Sequence, residues 1–336
     1  MYHKKTTYVR TKTALLAMAV ISALCVILPI GCSRKTGSGD VHIKRFEKVI
    51  FGSPADELPD ILKKQHSEYA PLISGDLNDP MYVRNLTEFA NDPQMKDVYN
   101  TVQRRYPDLG WLEQGLATAM DKARKLFPDL GIDHYYTLIL GTFDYQSRVI
   151  CMDSFLAIDI SQYVIDELRV YNYYNMPMYM VEMLDSAHLL PDCMAAVGIS
   201  LLPRNYAPQS MLDFMITNGK VLYFLDQVLP DLPQELKIRY TPQQWGWAVE
   251  NESNIWGYLL QNQLLYDTDW NRIRGFVNEG PQTPQFSNSA PRLADFIGLQ
   301  IITQYMENNK VSLPELFANT DSQKILTQSK YKPQRN

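Results

Sequence analysis

No HExxH motif occurs in this chain. Its five histidines are His3, His42, His66, His134 and His188, and no two lie within five residues of each other. Zinc hydrolysis needs His, Cys or carboxylate ligands at helical spacing, so that chemistry has little support. Glu182, Asp185, His188 and Asp192 come nearest to a ligand set, but Pro191 is expected to interrupt a helix before Asp192. A solvated acidic face is the plainer reading. No GxSxG elbow marks a serine nucleophile. No phosphate loop is present: Gly37-Ser38-Gly39 is only a short polar run, and Asn218-Gly219-Lys220 lacks the rest of a P-loop. The acid pairs Glu250/Glu252 and Asp267/Asp269 are neighbours in sequence, whereas a glycosidase dyad must flank a cleft. No catalytic residue, metal or cofactor is therefore expected.

Cysteine and basic charge are also scarce. The four cysteines are Cys25, Cys32, Cys151 and Cys193. Spacing cannot say whether Cys151 and Cys193 pair. An exported chain tolerates a disulfide, while two buried free thiols are the commoner case. Only one apolar run is long: Ala14 to Ile30, 17 residues without a charge. It follows Lys4, Lys5, Arg10 and Lys12, and it ends at Gly31-Cys32. A basic segment followed by a short apolar one is the pattern of an export signal, and the run also matches the shortest transmembrane span. The small Gly31 before Cys32 favours cleavage there over a retained signal anchor. The segment resembles a bacterial lipobox, which has Leu at −3, a small residue at −1 and Cys at +1. Here Pro29 holds −3 and Leu28 stands one place earlier. Cys25 follows the bulky Leu24 and is a poorer candidate. Cys32 is thus the expected lipidation site, with acyl chains holding the chain to a membrane.

This divides the chain into a signal peptide over 1–31, a flexible Gly- and Ser-containing tether over 32–40, and one globular domain over 41–333. Residues 32–336 carry 28 Lys+Arg against 37 Asp+Glu, a balance of −9. That balance argues against nucleic acid, which needs clustered cations. The pattern beyond residue 40 is mainly α with a small β-sheet, an α+β body. Helices are expected over 55–69, 80–105, 109–127, 160–170, 177–190, 192–202, 209–228, 242–265, 291–309 and 313–319. Residues 135–142 and 148–158 are short, aromatic and β-branched, and read as two strands that could pair as a hairpin. Residues 278–291 read as a long loop. Glu252 is out of place on the apolar stripe of 242–265. Gly219 within a helical pattern costs about 1 kcal/mol against Ala, so a close contact is expected to account for it. Among 21 tyrosines, Tyr171, Tyr173, Tyr174 and Tyr179 cluster. Such side chains serve both packing and recognition.

Several segments together resemble a known family. They are Ile43–Phe46 (IKRF), Arg148–Ala157 (RVICMDSFLA), Pro177–Tyr179 (PMY), Met211–Pro230 (MLDFMITNGKVLYFLDQVLP), Gln244–Asp269 with its LLYDTD, Pro291-Arg292 with Gly298–Ile302, and Ser329–Pro333 (SKYKP). In this order they resemble the gliding motility-associated lipoprotein GldB family of Bacteroidetes. The resemblance implies a lipid-anchored envelope protein, in agreement with Cys32. It also implies a scaffold distantly similar to zincin proteases, in which a helix bearing HExxH precedes a helix bearing an EG pair. Here the Pro177 helix reads PMYMVEML without His beside Glu182, and Asn218 stands where the second acid would be. Both metal-binding elements are gone on that reading, leaving a degenerate scaffold kept for contacts. The expectation is a non-catalytic envelope protein of gliding-motility type that acts through protein partners. Tyr171, Tyr173, Tyr174, Asn218 and Lys220 form the candidate interaction surface. Peptide or glycan binding and a metallopeptidase-like hydrolase with a non-standard site are the alternatives. The residues after Cys32 lack the acidic run that resembles a surface-export tag, which points to the periplasmic side.

Overall fold

A computed structural model describes residues 40–167 and 176–333. Cys32, the signal-like segment and Tyr171, Tyr173 and Tyr174 lie outside the described residues. The chain enters through strand β1 (Ile43–Arg45), which runs straight into helix α1 (Phe46–Gly52). Four helices follow, α2 (Leu58–Lys64), α3 (His66–Tyr69), α4 (Pro80–Asn91) and α5 (Pro93–Arg105). The expected helix over 80–105 is split because Asp92 accepts from the backbone N–H groups of Gln94 and Met95 as an N-cap, with Pro93 opening the new helix. Helix α6 (Gly110–Leu126) buries Leu112, Leu116, Ala119, Met120 and Ala123, the stripe its spacing calls for.

The sheet has four strands in the order β1-β2-β4-β3, with β2 (His134–Leu138), β3 (Val149–Cys151) and β4 (Phe155–Asp159). β2 runs parallel to both β1 and β4, and β3 is antiparallel to β4. The hairpin thus lies within 149–159 and not between the two sequence segments expected to form it. The tight turn Met152-Asp153-Ser154 sets it, closed by Met152 N–H donating to Phe155 O at 2.9 Å. Alternation of side chains assigns the faces. Ile43, Tyr135, Leu156 and Ile158 join the main core. Tyr136, Leu138 and Ala157 face the other way, under α1 and the 72–73 turn.

A 3-10 helix (Ile160–Glu167) continues from β4. Beyond it come α7 (Met178–Val181), α8 (Ser186–Ser200), α9 (Met211–Val228) and α10 (Gln234–Ile238). The expected helix over 177–190 is two elements. α7 is a single turn, and Asp185 caps the start of α8 by accepting from the N–H groups of Ala187 and His188. Pro191 does not end a helix as expected but sits inside α8. Full burial of Leu189, Cys193, Met194 and Val197 offsets its missing N–H and the clash it brings to the preceding turn.

The C-terminal half adds α11 (Pro242–Glu250), α12 (Glu252–Gln261), α13 (Trp270–Val277), α14 (Leu293–Asn308), α15 (Leu313–Ala318) and α16 (Ser322–Ser329). The run 242–265 breaks at Asn251, whose side-chain amide donates to Trp247 O at 2.9 Å. No helix or strand lies between Val277 and Leu293, as expected for that loop. Helices α9 and α14 cross at van der Waals distance. A Cβ on Gly219 would lie 2.4 Å from the Gly298 backbone, and one on Gly298 would lie 1.9 Å from Met215 O. The unusual glycine in α9 is there because its backbone touches another. Among the described residues no helix is long and apolar enough to cross a membrane.

Candidate functional site

The strongest concentration of chemistry is a charge network inside the body. Asp192 on α8 lies at its centre, with a side chain only 3% exposed. Arg148, at the entrance to β3, places Nε 3.0 Å from Asp192 Oδ2. The hydroxyl of Tyr163, on the 3-10 helix, donates to the same oxygen at 2.7 Å. Arg239 pairs with both carboxylate oxygens through Nη1 and donates from Nη2 to Met183 O at 2.6 Å. Arg239 reaches this position from the left-handed cap of α10, at φ 57°.

Tyr145 joins this cluster to a second one. Its ring lies under the Arg148 guanidinium at 4.4 Å and near that of Arg239 at 5.5 Å, a desolvated cation–π arrangement. Its hydroxyl stands 3.5 Å from Glu279 at the start of the long loop. Arg292 closes the same loop in a left-handed conformation, at φ 44°. Its Nε lies 3.1 Å from Glu279 Oε2, and its Nη1 donates to Asp295 at 2.8 Å. Asn218 on α9 donates to the other oxygen of Asp295 at 2.6 Å. Three guanidiniums therefore meet three carboxylates across α8, α9, α10, α14 and the strand entrance.

Charge state limits what such a cluster does. Burial raises the Asp192 carboxyl, but the charges of Arg239 and Arg148 and hydrogen bonds from Arg239 and Tyr163 outweigh it and hold the group at about 2. An acid that strong is a poor proton acceptor near neutral pH. Burial drives the Tyr163 phenol well up, so it stays a donor. Asp192 and Tyr163 thus fix elements in place, the one no poised base and the other no activated nucleophile, while burial raises the Asp295 carboxyl despite the opposing charge of Arg292 and the Asn218 hydrogen bond. Pairs of this kind cost desolvation and are worth keeping for the arrangement they specify.

The residues singled out in the sequence divide accordingly. Asp185 accepts from the His188 ring at Nδ1, 2.7 Å away, and caps α8. Asp192 turns to the arginines, and Glu182 is exposed. His188 Nε2 is buried without a partner. Among the described residues no three His, Cys, Asp or Glu side chains are placed to hold a metal ion. Cys151 and Cys193 are both free thiols. Asn218 is half-buried and Lys220 is 2% exposed. Lys220 donates from Nζ to Asn319 O at the end of α15, 2.6 Å away, and burial pushes its ammonium down to about 8. It belongs to the interior and not to an open interaction surface, and Asn218 is spent on Asp295. Tyr145, Tyr163, Arg239 and Glu279 were not singled out in the sequence. The usable signal was a lone arginine between apolar neighbours, as in Ile238-Arg239-Tyr240.

A family model described as Gliding motility protein GldB matches residues 34–333. The chain belongs to this family. The match takes in β1, the whole charge network, the Asn218–Lys220 block and the tail through Tyr331. GldB is thereby the frame for the body as a whole, a gliding-motility lipoprotein family. No curated protein matches the chain, and no solved structure does.

Proposed function

We propose that this GldB-family chain is a lipid-anchored, non-catalytic protein of the cell envelope that works through protein partners. Cys32 carries the acyl chains, 1–31 is removed as a signal peptide, and the body faces the periplasm. The anchor is supported by Lys4, Lys5, Arg10 and Lys12 ahead of a 17-residue uncharged run that ends at Gly31-Cys32. Membership of a gliding-motility lipoprotein family agrees with it.

The observation that carries the non-catalytic reading is the pairing of Asp192 with Arg148 and Arg239, together with that of Asn218 with Asp295. These polar groups on α8 and α9 hold the fold together. Function on this reading is contact, made by a surface held near a membrane by a short tether. Cross-linking in intact cells followed by purification of the chain is the test. The expected result is a small set of envelope proteins in fixed proportion to the chain. Recovery of the chain alone, with zinc at one per chain that is lost in His188→Ala, would contradict the proposal.

A further inference from the structure

A cavity separate from the charge network lies between the N-terminal helices and the second face of the sheet, with a volume of about 420 Å³. Leu138, Ile150 and Phe155 form the sheet wall, and Phe46, Phe51 and Phe89 the helical wall. The small Ala157, on the central strand β4, leaves room between them. Leu72 and Ile73 are half-exposed and Met152 is exposed, so the space opens to solvent past them.

Among the described residues only three polar side chains reach the lining: Glu47, Ser74 and Tyr82. Glu47 is already committed, to Arg45 Nε at 2.6 Å and to the Thr137 hydroxyl at 2.8 Å. The Tyr82 ring is seated on Gly75, where a Cβ would come within 2.3 Å of it. No Lys, Arg or His among the described residues lines the cavity. A charged or strongly polar ligand would lose its water without replacement. An apolar chain would gain from burial against aromatic and aliphatic walls. Small-molecule sites run from ~300 to ~1,000 Å³ and are mostly apolar, so this one, near the lower end, suits one chain and not two. Packed elements on both sides exclude a flat protein surface, while a thin flexible chain can enter.

We propose that this cavity binds a single acyl chain of a membrane lipid, with the headgroup left outside past Leu72 and Met152. The site stands whether or not Cys32 is itself acylated.

The test is photolabelling of the full-length chain in membranes supplied with palmitic acid bearing a diazirine, with labelled peptides located by mass spectrometry. Label is expected on peptides containing Phe46–Phe51, Phe89 and Leu138–Leu140, and at least tenfold less of it in Ala157→Phe and Leu72→Trp, which fill the space. Leu72→Trp, at a half-exposed position, keeps the test open if Ala157→Phe fails to fold. Label that adds the mass of a free fatty acid or phospholipid to these peptides supports a chain taken from surrounding lipid. Label that joins them to the Cys32 peptide would show the protein's own anchor in the cavity and overturn that source. Absence of label from these peptides, or equal labelling in filled variants that melt like the wild type, would overturn the site.

Discussion

At Asp192, burial and pairing pull in opposite directions and pairing wins, so the carboxyl stays ionised to about pH 2. Its folded pKa lies below the unfolded value of 3.8. The stability it contributes is therefore complete above about pH 4 and is lost as pH falls through about 2. Asp192→Asn removes the charge and leaves Arg148 and Arg239 buried without it. The expected loss is ~3–5 kcal/mol in urea unfolding at pH 7, with a flatter acid limb below pH 4. Asp159 behaves in the opposite way. It is buried with neutral donors, Ser161 at 2.5 Å and Gln162 at 3.3 Å. Burial raises its carboxyl to about 6, more than those hydrogen bonds lower it. Its folded value lies above the unfolded one, so stability is greatest below about pH 4 and falls as pH rises through 6. Asp159→Asn should gain on the wild type between pH 4 and 7, by up to ~3 kcal/mol from the size of that shift. Melting curves of both proteins across this range are the check, and a constant difference between them would contradict it. At this scale the sequence was legible only where a residue broke a pattern. Glu252 did so, and it is buried beneath the Tyr331 hydroxyl, which donates to it at 2.8 Å. Arg239 gave only a slight break, an arginine between Ile238 and Tyr240, and Glu279 gave none, because the fold brings their partners in: Asp192 stands 47 residues from Arg239 and Tyr145 134 residues from Glu279.

Among the elements, α9 and α14 are where backbone meets backbone. Gly219→Leu and Gly298→Ala would drive a side chain into main-chain atoms that cannot move aside. Both are expected to lower the melting temperature strongly or to abolish folding. Gly246 in α11 and Gly257 in α12 have nothing within 4 Å of a built Cβ. Alanine there should stabilise by up to ~1 kcal/mol through helix propensity alone. Equal effects at the two pairs of sites would contradict the close crossing. The tail is a second such device: Tyr331 packs edge-on against Trp256 at 5.0 Å while its hydroxyl satisfies Glu252. Tyr331→Phe removes this one hydrogen bond to the buried carboxylate and should cost ~1 kcal/mol. Long, strongly patterned helices such as α6 and α9 were readable from spacing, and so was the need for contact at Gly219. The end of the 177–190 segment and the passage of α8 through Pro191 were not. There a cap at Asp185 and the burial of a whole helix override the local signals that sequence displays. The hairpin was misplaced for a related reason, because a three-residue turn chooses the partner strand and the alternation of side chains does not.

At the scale of the whole molecule, the body and its address are separate matters. The body belongs to the GldB family, and its chemistry is turned inward, with arginines neutralising carboxylates and the glycine crossing fixing the helices around them. The family likeness was legible because it lies in ordered short segments, IKRF, the NGK block and the SKYKP tail, each of which does identifiable work in the fold. The site was less legible because it is assembled from six separated stretches. The apolar cavity over the sheet left no motif at all. On the proposed reading the address lies in residues 1–32, and it decides whether the body works as a tethered surface. The intact mass of the chain purified from the membrane fraction tests this most directly. The account predicts a chain that begins at Cys32 and carries the added mass of acyl groups, and a Cys32→Ser variant that lacks them and leaves the membrane. A chain that keeps residues 1–31, or one that begins at Cys32 without acyl mass, would contradict it.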